Sequence, residues 1–232
     1  MTPSIFILTG AGISAESGIA TFRDEDGLWA KHRVEDVATP EAFERNPALV
    51  QNFYNQRRAG LVSVVPNVAH EALARLQRLH KGAVTLVTQN IDDLHERAGA
   101  EVIHMHGELI KARCTDCGAV QPWPHDITTE SVCMNCKSKN TLRPHIVWFG
   151  EMPLFMEEIE QALMEADIFA AIGTSGEVYP AAGFGEIANT CGAHTLELNL
   201  KPTRSNMFKQ SLEGPASKTV PDWVESILNP AD

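Results

Sequence analysis

The stretch IFILTGAGISA, residues 5–15, joins a short apolar run to a glycine-rich turn and decides the fold class. Residues 5–8 are all large and apolar, as in a buried β-strand. The turn carries Gly10 and Gly12, with Ala15 in the third position of the G-x-G-x-x-G/A dinucleotide fingerprint. This fingerprint is weak alone, but its position after a strand predicts the start of a nucleotide-binding α/β sheet.

Four further segments have the same form, a run of strand character followed by small or polar residues. They cover residues 84–87, 101–105, 168–172 and 195–198. Between the strands, residues 68–79 and 154–166 place apolar side chains at helical spacing. This alternation favours a Rossmann-like parallel sheet with helices on both faces, whose ligand lies beyond the carboxyl ends of the strands.

Two segments interrupt the alternation of strands and helices. Residues 31–66 contain helical patches bounded by Pro40, Pro47 and Pro66, and residues 111–144 are rich in cysteine, proline, lysine and threonine. We therefore predict a Rossmann-like dinucleotide-binding domain formed by residues 1–30, 81–110 and 145–232. A small domain would combine a helical part, residues 31–80, with a cysteine-rich zinc-ribbon part, residues 111–144.

The composition of the 232 residues excludes several classes of protein. Hydrophobic residues make up 44% and charged residues 21%, which is ordinary for a globular chain and excludes disordered and fibrous proteins. The net charge of −11 argues against a nucleic-acid partner. No apolar run approaches the roughly 18 residues that span a bilayer, and the first residues lack a secretory-signal pattern, so we expect a cytoplasmic location.

Four of the five cysteines form two close pairs, Cys114 with Cys117 and Cys133 with Cys136. The spacing between the pairs lies in the range typical of zinc sites. Four thiolates complete the tetrahedral coordination of zinc, so the metal would be structural. Four unligated cysteines or two redox pairs are the alternatives. The fifth cysteine, Cys191, is predicted to be a small buried residue rather than a nucleophile.

Polar residues follow other strands at the expected ligand edge. The stretch TQNID, residues 88–92, provides two amides and a carboxylate there. In residues 103–106 histidines alternate with apolar residues, so a strand would place His104 and His106 on one face. Most histidines are structural, but His106 at the strand end is a candidate base because an imidazole pKa of about 6.5 suits proton transfer at neutral pH.

Residues 17–29 follow the glycine turn and lack a strand pattern. An ordinary Rossmann unit would continue into a second strand that ends in an acidic residue for the ribose. We interpret the segment as a glycine-hinged loop, in which Phe22 and Trp29 would exclude water and Arg23 would bind a pyrophosphate. An acidic surface loop is the alternative.

Taken in order, these motifs resemble those of the sirtuins, NAD-dependent protein-lysine deacylases. The resemblance is carried by GAGIS (10–14), GLW (27–29), TQNID (88–92), HG (106–107), the two cysteine pairs, WFGE (148–151), GTS (173–175) and LN (198–199). VYPAA (178–182) and GPAS (214–217) make the chain most similar to the bacterial class III members. Two positions depart from the family pattern. Ala20 replaces a usual proline and would loosen the cofactor loop, whereas Asp93 replaces a common glycine and adds a charge near the nicotinamide pocket.

The resemblance implies a reaction that consumes NAD and a protein that carries one structural zinc ion. In this family the acyl oxygen of an acyl-lysine attacks the nicotinamide ribose, nicotinamide leaves, and the acyl group ends on ADP-ribose. His106 would be the catalytic base that takes a proton from a ribose hydroxyl, and Asn90 and Asp92 would position the ribose and the nicotinamide. The implied cofactor-binding set is Gly10, Ala11, Gly12, Ile13, Ser14, Glu16, Thr21, Phe22, Arg23, Trp29, Gln89, Asn90, Ile91, Asp92, Gly173, Thr174, Ser175, Asn199, Leu200, Lys201 and Ala216.

The resemblance also assigns residues to an acylated protein or peptide substrate. Residues 146–151 would form an extended segment that pairs with the peptide as an added strand. The implied substrate-binding set is Tyr54, Arg57, Val147, Trp148, Phe149, Gly150, Glu151, Val178 and Tyr179. Tyr54 and Arg57 would share one face of a helix, which an ordinary surface helix explains equally well. In class III sirtuins such a pair binds the carboxylate of succinyl- or malonyl-lysine, so we expect desuccinylation as well as deacetylation.

The sequence leaves other functions open. NAD-dependent ADP-ribosyl transfer would use the same cofactor. An NAD(P)-dependent oxidoreductase would fit the glycine turn but lacks the second strand and its ribose acid, and a zinc-ribbon binding module would leave His106 and Asn90 without a role. A zinc-dependent hydrolase is disfavoured because four thiolates leave no open position on the metal. We expect a monomer without nucleic-acid or membrane partners.

Overall fold

The computed structural model describes residues 2–19, 32–203 and 206–230. Its strands are β1 (Ile5–Thr9), β2 (Val84–Thr88), β3 (Ile103–His104), β4 (Gly107–Cys114), β5 (Val120–Pro122), β6 (Leu142–Ile146), β7 (Ile168–Ile172), β8 (His194–Asn199) and β9 (Gln210–Glu213). Its helices are α1 (Ala11–Ala15), α2 (Val34–Val37), α3 (Pro40–Arg45), α4 (Pro47–Gly60), α5 (Val68–Leu79), α6 (Leu94–Arg97), α7 (Met156–Met164), α8 (Phe184–Thr190) and α9 (Ala216–Leu228).

A six-stranded parallel sheet lies at the centre of the fold, with strand order β3-β2-β1-β7-β8-β9. Strand β1 lies between β2 and β7, and all of its residues are buried. This sheet confirms the predicted Rossmann-like fold class. The sequence analysis does not predict β9, because this edge strand is mostly exposed and its QSLE sequence has no apolar run.

Helices cover both faces of the large sheet. On one face, α5 and α9 bury Leu73 and Trp223 in the same core as Ile7. On the other face, α7 and α8 bury Leu163 and Phe184 in the same core as Phe6. Successive residues of a strand point to opposite faces, and each face of this sheet is covered. This explains why the central strands β1 and β7 are runs of apolar residues rather than alternating ones.

The helices α2, α3 and α4 build a separate core, which also includes Leu109 and Trp148. Pro40 and Pro47 are the first residues of α3 and α4, where a helix does not need an amide donor. Helix α5 packs on the large sheet instead. We therefore propose that the helical part of the small domain ends before α5, rather than at residue 80.

A second, antiparallel sheet has the order β5-β4-β6 and carries the cysteine-rich insert. Its first strand begins at Gly107, directly after His106. Gly107 has a φ of +80°, and a Cβ there would lie 2.0 Å from the carbonyl oxygen of His145. Only glycine fits this junction, so the sequence His106-Gly107 fixes where the large sheet gives way to the insert.

Three local predictions need correction. The strand expected at residues 101–105 spans only Ile103–His104, because it pairs with β2 over two residues, so His106 lies beyond its end. The helix expected at residues 154–166 is the shorter Met156–Met164. Cys191 is exposed rather than buried, because α8 ends there at the surface. Within the described ranges, every helix is too short or too polar to cross a membrane.

Candidate active site

The glycine turn after β1 packs against a second glycine turn after β7. The amide of Gly12 donates to the carbonyl of Gly173 at 2.8 Å, and the amide of Gly10 donates to the carbonyl of Ile172 at 3.0 Å. A Cβ on Gly12 would lie 2.7 Å from the Cα of Gly173. Glycine is therefore needed for the two turns to meet, and they bring the ends of two adjacent strands to one place.

The described members of the predicted cofactor-binding set lie along one edge of the large sheet. They follow the carboxyl ends of β1, β2, β7 and β8 or begin α9, as in Gly10–Ser14, Gln89–Asp92, Gly173–Ser175, Asn199–Lys201 and Ala216. The carboxylate of Glu16 accepts hydrogen bonds from the amide and the hydroxyl of Ser217, which ties the first turn to α9. Thr21, Phe22, Arg23 and Trp29, as well as Ala20, lie outside the described residues.

Three polar side chains form a buried, hydrogen-bonded set at this edge. Asn90 Nδ2 donates to Ser14 Oγ and to the carbonyl of Gly10, both at 3.1 Å. The Ser14 hydroxyl donates to Asp92 Oδ2 at 3.1 Å, and the amide of Leu94 donates to Asp92 Oδ1 at 3.2 Å. Burial raises the pKa of Asp92 above its ordinary value, although these two hydrogen bonds oppose the shift. Each side chain is held in one orientation, as positioning a bound sugar requires.

Two histidines beneath this set were not identified from the sequence. His70 Nε2 lies 3.4 Å from Ser14 Oγ, and His95 Nε2 lies 3.0 Å from Thr9 Oγ1. Burial lowers the pKa of His70 to about 4 and the pKa of His95 well below its ordinary value. Both rings are therefore neutral at pH 7. The signal that could have revealed His70 is a polar residue on the apolar face of α5.

His106 carries the features of an oriented base. Its Nδ1 donates to the carbonyl of Gln89 at 3.0 Å, so the neutral ring keeps its lone pair on Nε2. The ring is half-buried, and burial lowers the pKa of His106 although the Gln89 carbonyl opposes the shift. Gln89 is itself held, because its side-chain amide donates to Thr174 Oγ1 at 2.9 Å. The site thus presents an unprotonated imidazole at neutral pH.

His104 has a different environment and a different role. It is buried, its Nδ1 donates to the carbonyl of Asn90 at 3.0 Å, and its Nε2 lies 2.5 Å from Glu96. Burial alone would lower the pKa of His104, but Glu96 raises it above the ordinary value. With both ring nitrogens engaged, His104 holds the backbone of Asn90 in place rather than acting as a base.

The acidic departure from the family pattern, Asp93, has a partner. Its carboxylate lies 3.6 Å from the guanidinium of Arg97, one turn further along the chain. Arg97 also donates to the carbonyls of Leu61 and Val64, which anchors it. Asp93 therefore adds an ion pair, not an isolated negative charge, next to the cofactor edge.

Tyr54 and Arg57 lie on α4 at the spacing of one helical face. The Tyr54 ring is buried, and its hydroxyl oxygen accepts a hydrogen bond from the indole N–H of Trp148 at 3.0 Å. Arg57 is half-buried. Burial lowers the pKa of Arg57, while Tyr54 and the carboxylate of Asp92 raise it.

The segment of residues 146–151 is extended only at its start, where Ile146 ends β6, and not throughout as predicted. Phe149 and Gly150 form a turn, which a hydrogen bond from the amide of Glu151 to the carbonyl of Trp148 closes at 2.9 Å. The Glu151 carboxylate accepts hydrogen bonds from the Trp148 amide and from Arg143. The carboxylate of Glu151 thus ties the turn to the Trp148 amide and to Arg143.

The other predicted substrate-binding residues differ in exposure. Phe149, Val178 and Tyr179 expose apolar groups, which suits contact with a peptide. Trp148 is buried, and the amide of Val147 donates to the carbonyl of His106 at 2.9 Å. The set therefore divides into surface residues available to a partner and residues that build the interior of the site.

The four paired cysteines come together in the insert. Their sulfur atoms all lie within 4.8 Å of one another, and the Sγ atoms of Cys114 and Cys136, like those of Cys117 and Cys133, are 3.7 Å apart. Tetrahedral zinc with bonds of about 2.3 Å separates its sulfur ligands by about 3.8 Å, whereas a disulfide joins them at about 2 Å. The residues therefore fit one zinc ion, with no ligand position left for a substrate.

Comparison with known proteins places this geometry in a family. The model of the Sir2 family matches residues 10–180. The chain is 60% identical over 230 residues to an NAD-dependent protein deacylase from Escherichia coli strain K12, covering 97% of this chain and 82% of that protein. It is 61% identical over 231 residues to an NAD-dependent protein deacylase from Leishmania major, covering 97% and 95%.

Solved structures show the same fold with ligands bound. A Sir2 homologue in complex with NAD superposes with a TM-score of 0.87 at 39% identity, covering 97% of this chain and 90% of that one. A Sir2 protein with a deacetylated p53 peptide and 3'-O-acetyl ADP-ribose superposes with a TM-score of 0.79 at 28% identity, covering 98% and 93%. The chain belongs to the Sir2 family, as these matches show together with the sheet, the glycine turns and the cysteine tetrad.

Proposed function

We propose that this chain uses NAD to remove acyl groups from protein lysines, and that it removes succinyl and malonyl groups as well as acetyl. Its relatives in Escherichia coli and Leishmania major carry the name NAD-dependent protein deacylase. The observation that carries the acyl range is the half-buried guanidinium of Arg57, which shares one face of α4 with Tyr54 and lies 5.7 Å from the centroid of the Phe53 ring. A carboxylate at the end of an acyl chain is the natural partner of such a pair.

The chain's own residues perform the proton transfer and the positioning. When bound, NAD supplies nicotinamide as a leaving group and ADP-ribose as the acceptor of the acyl group. His106 Nε2 takes a proton from a ribose hydroxyl, and the Gln89 carbonyl stabilises the imidazolium that results. Asn90 and Asp92, held by Ser14, orient the ribose. One water is consumed, and the products are nicotinamide, O-acyl-ADP-ribose and free lysine.

The cofactor edge fits a dinucleotide. Two glycine turns with no room for side chains meet at the carboxyl ends of β1 and β7, where doubly wound sheets bind nucleotides. The residues that would hold NAD are the described members of the cofactor-binding set given above. We further propose that a peptide contacts the exposed Phe149, Val178 and Tyr179, and that the protein is a cytoplasmic monomer.

Turnover of matched peptides tests the proposal directly. Acetyl-lysine and succinyl-lysine versions of one peptide are incubated with the protein, with and without NAD, and the products are identified by mass. We expect free lysine and O-acyl-ADP-ribose from both peptides, only when NAD is present. Transfer of ADP-ribose onto protein without loss of the acyl group would favour ADP-ribosyl transfer instead.

Replacing Arg57 by methionine tests the acyl range. The change keeps a long side chain on α4 but removes the charge, so the ratio of kcat/KM for succinyl-lysine to that for acetyl-lysine should fall about ten- to a hundredfold. The loss should come mainly from a higher KM for the succinyl peptide. Arg45→Met, which removes an exposed arginine of α3, is the matched control and should leave the ratio unchanged. Equal loss of both activities in Arg57→Met would contradict the assignment.

A further inference from the structure

The hydrogen bond between Trp148 and Tyr54 has a fixed direction. Indole Nε1 is a donor only, so the Tyr54 oxygen must accept this bond at 3.0 Å. Burial raises the pKa of Tyr54 to about 12, so the phenol stays protonated. Because its oxygen already accepts from Trp148, the hydroxyl hydrogen of Tyr54 is directed to another acceptor.

The indole of Trp148 is itself clamped. The guanidinium of Arg143 lies over its ring, 3.4 Å from the centroid, in cation–π geometry. Arg143 forms a bidentate ion pair with Glu151 at 2.7 and 2.9 Å, and Glu151 accepts from the backbone amide of Trp148 at 2.8 Å. Phe43 packs on the same indole, with ring centroids 5.3 Å apart. These contacts close around Trp148 from its backbone and its ring, so the N–H is held in one direction.

We infer that Trp148 is a positioning residue for acyl selectivity: its N–H holds the Tyr54 hydroxyl so that the phenol proton points to the carboxylate of an acidic acyl group. The inference rests on the proposed function and deepens it. Arg57 would then supply the charge, and Tyr54 a directed hydrogen bond. A purely structural indole, in contrast, would only fill the core that it shares with Phe53 and Tyr54.

A double-mutant cycle separates the two roles of Trp148. Trp148→Phe keeps an aromatic ring but removes the donor, Tyr54→Phe removes the acceptor and the directed proton, and the double variant removes both. For each protein, kcat and KM are measured with succinyl-lysine and acetyl-lysine peptides at saturating NAD. We expect Trp148→Phe to lower the succinyl-to-acetyl ratio of kcat/KM about five- to tenfold, and to have no further effect on that ratio once Tyr54 is phenylalanine.

Two outcomes would overturn the positioning role. One is an equal loss of both activities in Trp148→Phe, and the other is an undiminished effect of Trp148→Phe in the Tyr54→Phe background. If Trp148→Phe fails to fold, replacing the Trp148 indole by benzothiophene, which keeps the ring shape and lacks the N–H, takes its place in the cycle with the same expected results. If the wild-type protein does not remove succinyl groups, the proposed acyl range is wrong. If it does remove them and only the expectation for Trp148→Phe fails, the positioning role alone is wrong.

Discussion

Replacing His106 by alanine should lower kcat for deacylation about 10²- to 10⁴-fold, the usual contribution of a general base. The alanine variant loses the imidazole and its one hydrogen bond, from Nδ1 to the carbonyl of Gln89. That bond orients the ring, so the variant should still fold. NAD affinity, measured by calorimetry, should change little, because the glycine turns and the set formed by Ser14, Asn90 and Asp92 do not use the imidazole. Activity near that of the wild type would remove His106 from the mechanism.

The pH dependence of kcat/KM tests the same residue without a substitution. His106 is active when neutral, so activity falls as the pH drops through its pKa. Burial lowers that pKa below 6.5, so the acid limb of the profile should lie below pH 6.5 and be absent in the alanine variant. His194→Asn is the matched control for the substitution. This exposed histidine begins β8, at the opposite end of the strand from the cofactor edge, and its loss should leave the profile unchanged.

The central strands could be predicted because each is marked by a run of apolar residues. Strands such as β1 and β7 are covered by helices on both faces, so a continuous apolar run marks each of them. The edge strands β3 and β9 follow other rules. β3 pairs over two residues only, and β9 is held by the backbone pairing with β8, with Leu212 as its one side chain that packs against a core. Local hydrophobicity therefore does not report them.

The chemistry of the site was predictable where a single residue carries it. Asn90, Asp92 and His106 follow strands at the ligand edge, and that placement alone suggests contact with a cofactor. The buried residues that pack beneath these side chains could not be predicted. His70 lies against Ser14 and His95 against the neighbouring Thr9 of β1, each from a different segment of the chain. A pairing of this kind depends on the packing of helices against the sheet, which no local period encodes.

In the substrate region, too, the sequence does not indicate which distant residues a side chain contacts. The spacing of Tyr54 and Arg57 predicts a shared helical face, but the partner of Tyr54 is Trp148, which is far away in the sequence. Glu151 remains a predicted substrate contact, and its carboxylate also accepts hydrogen bonds from Arg143 and the Trp148 amide, which its place in the motif does not indicate. A motif can identify the residues of such a segment. The fold is needed to distinguish the residues that are exposed to a ligand from those that support the surrounding structure.

Removal of zinc should unfold the cysteine-rich insert and abolish deacylation. The core of the insert is small, with Ala112, Ile127 and Leu142 as its buried members besides two cysteines. Binding of zinc to such modules contributes about 10 to 16 kcal/mol, which matches or exceeds the 5 to 15 kcal/mol that typically stabilises a whole domain. Strand β4 begins directly after His106, and β6 leads into Trp148, so an unfolded insert should release His106 and Trp148 together.

Zinc content, circular dichroism and activity after treatment with a chelator measure this effect. Wild-type protein should hold one zinc ion per chain, and Cys133→Ser, which removes a buried ligand, should hold far less and melt at a lower temperature. Cys191→Ser is the matched control, because Cys191 is exposed at the end of α8 and lies outside the tetrad. The zinc content and melting temperature of this variant should equal those of the wild type. Activity that returns immediately when metal is added back, without slow refolding, would contradict a structural ion, because an ion that folds the insert restores activity only as fast as the insert refolds.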